Sequence, residues 1–265
     1  TQPAHPILAG VAGFMGGNLS LYFEGAPQGC ADVVAHWDNG WPLVATRLGP
    51  NGGRVLALNF YPVSSGSGNA QLWDPTTTDG ALLMANALRY AAQPVPVVRV
   101  DAPAVALVAA DDPALPGDLR CRLQDTALFS RVDTIDAMSG TPTLDALLQY
   151  GAVLTWSDAA YGDSAALGSL LADYVDRDRG VVQSIFRSYP EPGAHLEGRW
   201  ASGGYRSFSD GPSTSGSGLM LVPQDAGHPI LSGIPDFAGN DDSYYSIPAS
   251  LDAATTLVAS WSDGA

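Results

Sequence analysis

The sequence predicts an α/β fold with a doubly wound, mostly parallel sheet that is circularly offset relative to the domain boundary. Two observations carry this. Between Ala104 and Phe186, short apolar runs alternate with helical patterns, as expected of parallel strands joined by crossover helices. One segment also occurs twice: His5-Pro6-Ile7-Leu8-Ala9-Gly10-Val11 returns as His228-Pro229-Ile230-Leu231-Ser232-Gly233-Ile234. Each copy is followed by a hydrophobic strand closing on a tryptophan, Asp32 to Trp37 and Thr256 to Trp261. Self-similarity at long separation marks repeated domains. The first copy runs on through Pro42-Leu43-Val44-Ala45, whereas the second stops at Ala265. The chain is therefore expected to open partway through one domain and close partway through the next.

Taken in order, Leu43–Thr46 and Arg54–Phe60 read as a hairpin around Pro50-Asn51-Gly52-Gly53. Asp79 is placed to cap a helix from Gly80 to Ala91 with Leu82, Leu83, Ala87 and Leu88 inward, and Gln93-Pro94-Val95-Pro96 reads as a stiff linker. Ala104–Ala110 is a continuous apolar run ending in Asp111-Asp112, as in a buried parallel strand. A helix over Asp118–Phe129 and a strand over Val132–Ile135 follow. Thr141-Pro142 is expected to open a short helix. Ala152–Trp156 is a strand, Ala165–Tyr174 a helix with Leu167, Leu170, Leu171 and Tyr174 inward, and Gly180–Phe186 a further strand. From Tyr189 to Ser217 the pattern dissolves into glycine, serine, proline and aromatics, expected of a long loop. Leu219–Val222 and Thr256–Trp261 read as later strands. The resulting division is 1–92, a linker at 93–102, and 103–265. Residues 43–92 are expected to complete the sheet of 104–261, within one chain or across a subunit boundary.

Twelve basic residues are all arginine, and 27 acidic residues leave a net charge of −15. That balance argues against nucleic acid or an anionic membrane as partner. The missing lysine fits either GC-rich coding, as in a bacterial gene, or an outward-facing acidic surface. No apolar run reaches the length of a membrane span. Cys30 and Cys121 fit no metal or redox spacing and are read either as buried thiols or as one bridge.

The stretch His228-Pro229-Ile230-Leu231-Ser232-Gly233-Ile234-Pro235-Asp236-Phe237, followed by Asp241-Asp242-Ser243-Tyr244-Tyr245, resembles the ThuA-like branch of the class I glutamine amidotransferase-like fold. The strand–helix order from Ala104 to Phe186 is similar to the amino-terminal half of that flavodoxin-like fold. Residues 5–91 look like the carboxy-terminal part of a second copy. The resemblance implies a nucleophilic cysteine on the turn after Val181–Phe186, yet that turn offers Ser184, Arg187 and Ser188. No His-x-Glu pair is read at the amidotransferase position downstream. The resemblance thus implies the fold without the amidotransferase chemistry, and no catalytic residue is assigned.

Carboxylates gather near strand ends: Asp111 and Asp112, Asp133 and Asp136, Asp158 and Asp163. The carboxyl edge of a doubly wound sheet is where ligands bind. Asp111, Asp112 and Asp158 can meet there around a hard cation such as Ca²⁺, or simply cap the following segments. No other cofactor is expected. Four histidines occur. His5 and His228 precede a proline at equivalent positions and are expected to make turn hydrogen bonds. His195, with Glu197, Arg199 and Trp200, lies in the long loop. Asp112, Asp158, His195 and Trp200 are therefore the ligand-contact candidates. Trp41, Tyr61, Trp73, Tyr161, Tyr189, Tyr205 and Tyr245 suit sugar stacking, subunit contacts or the pinning of loops. The leading expectation is a non-catalytic structural repeat of an extracellular or cell-surface assembly, self-associating head to tail. The alternative is a ThuA-like carbohydrate-active enzyme or sugar-binding module.

Overall fold

The computed structural model describes the chain except residues 18–19, 28–29, 50–52, 63–71, 74–76, 94–100, 113, 185–191, 208–210, 241–242, 248–249 and 265. Most of the expected linker falls outside the described residues, as do Arg187, Ser188, Tyr189, Asp241 and Asp242. The chain divides into two units, Thr1–Val100 with Cys121–Leu128, and Asp101–Arg120 with Phe129–Ala265.

In the first unit, β1 (Asp32–His36), β2 (Pro42–Leu48) and β3 (Arg54–Leu58) form an antiparallel sheet in that order. The hairpin expectation holds: β2 pairs β3 from Val44↔Leu58 to Leu48↔Arg54. Helix α1 (Gly80–Ala91) spans the expected residues, but its inner face differs. Leu83, Asn86 and Ala87 are buried, while Leu88 is 73% exposed and Leu82 is also exposed. Asn86 turns inward because its amide donates to the carbonyls of Ile7 (3.2 Å) and Ala9 (2.8 Å). Asp79 makes no cap bond with α1. Its carboxylate accepts instead from the amides of Ala12 (2.7 Å) and Gly13 (3.0 Å).

The expectation that residues 43–92 complete the 104–261 sheet within one chain is corrected. Among the described residues, β2 and β3 share a sheet only with β1, and β1 is the nearer template. A connection of a few residues closes the β1–β2 pair, which costs far less loop entropy than a long-range pairing. Ile7, Val34, Ala35, Leu43, Val44, Leu83 and Ala87 then form one apolar core. Residues 5–41, surplus in a self-completed domain, are part of this body.

The second unit carries a parallel sheet flanked by helices, and the chain is thus α/β. Strands β4 (Ala104–Ala110), β5 (Arg131–Asp136), β6 (Ala152–Ser157) and β7 (Gly180–Gln183) lie in the order β5-β4-β6-β7. All three pairings are parallel. Both faces of β4 are covered, as its unbroken apolar run requires. Ala106, Val108 and Ala110 pack with Val153 against Leu147 of α3 (Leu144–Leu147) and Leu167, Leu171 and Tyr174 of α4 (Ser164–Val175). Two boundaries differ from expectation. Thr143, not Thr141, caps α3 by accepting from the Ala146 amide (3.2 Å). Helix α2 (Ala114–Asp125) begins earlier, because Pro116 falls in the first turn, where no amide partner is needed. It ends at Asp125, before Ala127 turns to φ 55° and leaves Leu128 exposed. Cys121 on this helix forms a disulfide with Cys30.

After α5 (Gly198–Ser202) come two antiparallel ribbons: β8 (Ser213–Gly216) with β10 (Ser243–Ser246), and β9 (Leu221–Pro223) with β11 (Ala259–Trp261). The duplicated segment takes the same backbone path twice. Pro6–Leu8 and Pro229–Leu231 are 3-10 turns, led by His5 (φ −68°, ψ 135°) and His228 (φ −67°, ψ 136°). Each histidine accepts through Nδ1 from the amide two residues on, at 3.3 Å in both copies, as expected. Gly10 (φ 72°) and Gly233 (φ 76°) close the turns in the left-handed region that favours glycine. Upstream, Gln2 donates its amide to Val34 (2.8 Å), and Asp225 donates to Val258 (3.0 Å).

The likeness extends to side chains. Phe14 sits 5.4 Å from Trp37, and Phe237 sits 5.6 Å from Trp261. Tyr22 lies 5.9 Å from Trp37, and Tyr245 lies 6.3 Å from Trp261. Asn39 donates to the Tyr22 hydroxyl (2.8 Å), while the Tyr245 hydroxyl donates to Asp263.

Candidate functional site

Strands β4 and β6 are adjacent in the sheet although β5 separates them in sequence. In doubly wound sheets, ligands bind past the carboxyl ends of strands that neighbour one another in this way. Asp111 and Asp112 leave β4 there, and Ser157 and Asp158 leave β6. The amides of Asp158 (2.8 Å) and Ala159 (3.0 Å) both donate to the Ala110 carbonyl, so the two strand ends are tied together. Asp111 is committed: its carboxylate accepts from the Trp156 indole (2.7 Å) and from the Asp112 amide (2.7 Å).

Residues 193–197 cross this edge. The Tyr161 amide donates to the Gly193 carbonyl (2.9 Å), and the Ser157 hydroxyl donates to the Ala194 carbonyl. Tyr161 is buried with its hydroxyl 3.2 Å from that of Thr155. Burial pushes its pKa up, keeping the phenol neutral. Two glycines let the crossing segment lie close on α4. A Cβ on Gly168 would run into the Glu197 carbonyl, and one on Gly198 would meet the Ala165 carbonyl and the Ser169 hydroxyl.

His195 thus reaches the edge that the strand-end carboxylates occupy. Its Nε2 is 3.4 Å from Glu197 Oε1, and its Nδ1 is buried without a hydrogen-bond partner. His195-Leu196-Glu197 is a His-x-Glu pair in sequence, which corrects the reading that overlooked one. Nucleophilic catalysis requires a hydroxyl or thiol activated by that imidazole. Ser157, hydrogen-bonded to the residue before His195, spends its proton on the Ala194 carbonyl. Cys30 and Cys121 are both consumed in the disulfide. Among the described residues, the imidazole lies beside Glu197 and its Nδ1 meets no hydroxyl or thiol.

The other candidates take structural work. Trp200 is 5% exposed and belongs to the core beneath β7, its indole donating to Gln183 Oε1 (3.0 Å). With Val181, Gln183 and Tyr205 it lines a cleft of about 370 Å³ beside the sheet. Arg199 pairs with Asp173 and with Asp176 (2.7 Å), pinning α5 to α4. Arg199 and then Tyr205, as hydrogen-bond donors, hold the Asp176 pKa below the usual carboxylate range.

Asp163 caps α4 by accepting from the Ala166 amide (2.8 Å). Asp133 is not at a strand end but inside β5, where it accepts from the Tyr150 hydroxyl (2.7 Å) and pairs with Arg131 (2.9 Å). Asp136 accepts from the Met138 amide (2.8 Å) in a turn, and hydrogen bonds from Ser139 and Met138 lower its pKa. Among the described residues, no group of three or more His, Cys, Asp or Glu has the geometry to hold a metal, including Asp111, Asp112 and Asp158. Of the loop aromatics, Trp73, Tyr161 and Trp200 are buried and pin their loops, whereas Tyr61 is exposed.

No described helix is long and apolar enough to cross a membrane. No protein-family model, curated protein or solved structure matches the chain.

Proposed function

We propose that the chain is a non-catalytic structural repeat of an extracellular or cell-surface assembly, its units joined head to tail by completing one another's half-built sheets. One observation carries this. The two copies of the duplicated segment share backbone and aromatic geometry, yet Ile7 is fully buried and its counterpart Ile230 is 67% exposed. A half-domain built to the same plan, without the half that covers it, is expected of units that share elements. The strand order β5-β4-β6-β7 supports a flavodoxin-like, amidotransferase-like reading of the second unit, and the His-Pro-Ile turn supports its ThuA-like branch. The Cys30–Cys121 bridge supports an oxidising compartment outside the cell. Sedimentation across a wide concentration range tests the assembly. Species that grow with concentration support it, and a fixed small species at all concentrations overturns it.

The position of the His195 segment across the carboxyl ends of β4 and β6 favours a second reading, a ThuA-like domain that binds or acts on carbohydrate at that edge. Glycan-array binding abolished by His195→Ala would support it. The absence of any glycan signal from the folded protein would remove it.

A further inference from the structure

The edge left open by the second copy has a defined shape, because the first copy shows what closes it. In the first, Gln2 takes one edge of β1 through the Val34 carbonyl, and β2 takes the other with Val33↔Ala45 and Ala35↔Val44. In the second, Asp225 makes the equivalent bond to Val258, and β9 lies along that same edge of β11. The edge that β2 occupies on β1 is thus the one β9 leaves on β11. Above it, α1 covers the first 3-10 turn with Leu83 and Ala87, and Asn86 satisfies two of its carbonyls. Phe60 and Trp73 close over Phe14 at 4.6 and 5.5 Å. The second-copy counterparts of Ile7, Val11 and Phe14, which that layer covers, are Ile230, Ile234 and Phe237, and all three are exposed apolar side chains. Apolar surface of this kind beside a strand edge marks a docking site.

We infer that this face receives a further segment of the Pro42–Ala91 type, a β-hairpin followed by an amphipathic helix, supplied by the next repeat of the same polypeptide. The inference rests on the head-to-tail reading and names its joint. The hairpin adds to β11 by strand addition, and the helix lays its Leu83-, Asn86- and Ala87-type face on the Pro229–Leu231 turn. Delivery by the same polypeptide is favoured by the first copy, where only a short connection separates β1 from β2.

The test extends the full chain after Ala265 by a second copy of Trp41–Ala92 and follows amide exchange residue by residue. The expected result is at least about tenfold slower exchange at Leu231, Ser232 and Ile234 in a monomeric extended chain. Leu8, Ala9 and Val11 should be unchanged, which certifies the fold. Ile230→Asp in the extended chain should return the second turn to its unextended rate. An appended segment that exchanges as unfolded chain, with the second turn unaltered, overturns the inference. Protection that appears only in dimers or larger species also overturns it, assigning the face to a second molecule. Sedimentation of the unextended chain reads the assembly separately. If it stays monomeric while the extended chain gains protection, the joint stands and self-assembly of separate chains falls.

Discussion

Ile7 and Ile230 occupy the same position in two 3-10 turns whose leading histidines differ by one degree in φ and ψ, yet only Ile7 is buried. Backbone conformation is therefore a local property of the His-Pro-Ile-Leu sequence. The histidine acceptor and the preset proline fix it without help from packing. Burial, in contrast, is decided by what lies on top. Ile7→Ala should cost about 2–5 kcal/mol, as for a filled core site. Ile230→Ala should stay within about 0.5 kcal/mol, as at an exposed site. Denaturant titration of both variants checks this, and equal losses would contradict the assignment of one completed and one open half.

The histidine turn makes stability depend on pH. Burial lowers the His5 pKa from the ordinary 6.5; nearby Asp32 opposes the shift and Arg54 adds to it. The unfolded chain then binds the proton more tightly than the folded one, so stability rises with pH across this window. The contribution is complete above 6.5 and is lost as pH falls through the lower folded value. His5→Asn keeps an acceptor at the turn without a titrating group. It should flatten the slope of the unfolding midpoint between those values, and an unaltered slope would dismiss His5 as the source.

The Cys30–Cys121 bridge spans a sequence separation of 91 residues. For a loop of that size the chain-entropy argument gives about 4–5 kcal/mol of stabilisation through the unfolded state. The Cys30→Ser, Cys121→Ser double variant should lose a large part of this in the denaturant midpoint. A midpoint equal to that of the oxidised protein would show that the bridge contributes little.

Gly168 is where α4 admits the segment carrying His195 and Trp200. Gly168→Ala places a methyl group against the Glu197 backbone and should cost about 1–3 kcal/mol, the range for overpacking. Proteolysis should then open the 193–205 segment. Gly140→Ala, where an added Cβ meets nothing within 4 Å, is the control. Matching stabilities for the two variants would refute the close approach.

Much of the sheet was legible from residues. The unbroken run Ala104–Ala110 could only be a strand buried on both faces, and the hairpin followed from its glycine-rich turn. Helix α1 is legible to the residue, and so are Leu83 and Ala87 on its inner face; Leu82 and Leu88 are exposed instead. Periodicity favours Leu82 and Leu88 for the inner face, whereas the inward Asn86 is dictated by carbonyls of a segment 77 or more residues away in sequence. Asp79 stands at the expected start of α1, but its carboxylate is taken by the Ala12 and Gly13 amides; at α3, Thr141 and Thr143 both precede the helix, and the cap falls to Thr143. At the site, the strand-end carboxylates were legible by rule. That Asp111 belongs to Trp156 was not, because single-residue patterns do not reveal donors, whereas Asp163 caps its own helix as the capping alternative for such residues has it. The duplicated segment was the most informative signal: its two copies take the same backbone path and differ in exposure.

Native-state hydrogen exchange at matched amides tests the central claim most directly. Leu8, Ala9 and Val11 donate to His5, Pro6 and Leu8 at 2.9, 3.2 and 3.1 Å; Leu231, Ser232 and Ile234 donate to His228, Pro229 and Leu231 at 2.9, 3.1 and 3.2 Å. Hydrogen-bond geometry being equal, any difference in rate reports the covering layer alone. The account predicts that in the monomeric chain the first set exchanges only on unfolding of its unit, while the second exchanges orders of magnitude faster. Equal protection of the two sets in a monomer would mean that the second half is already complete.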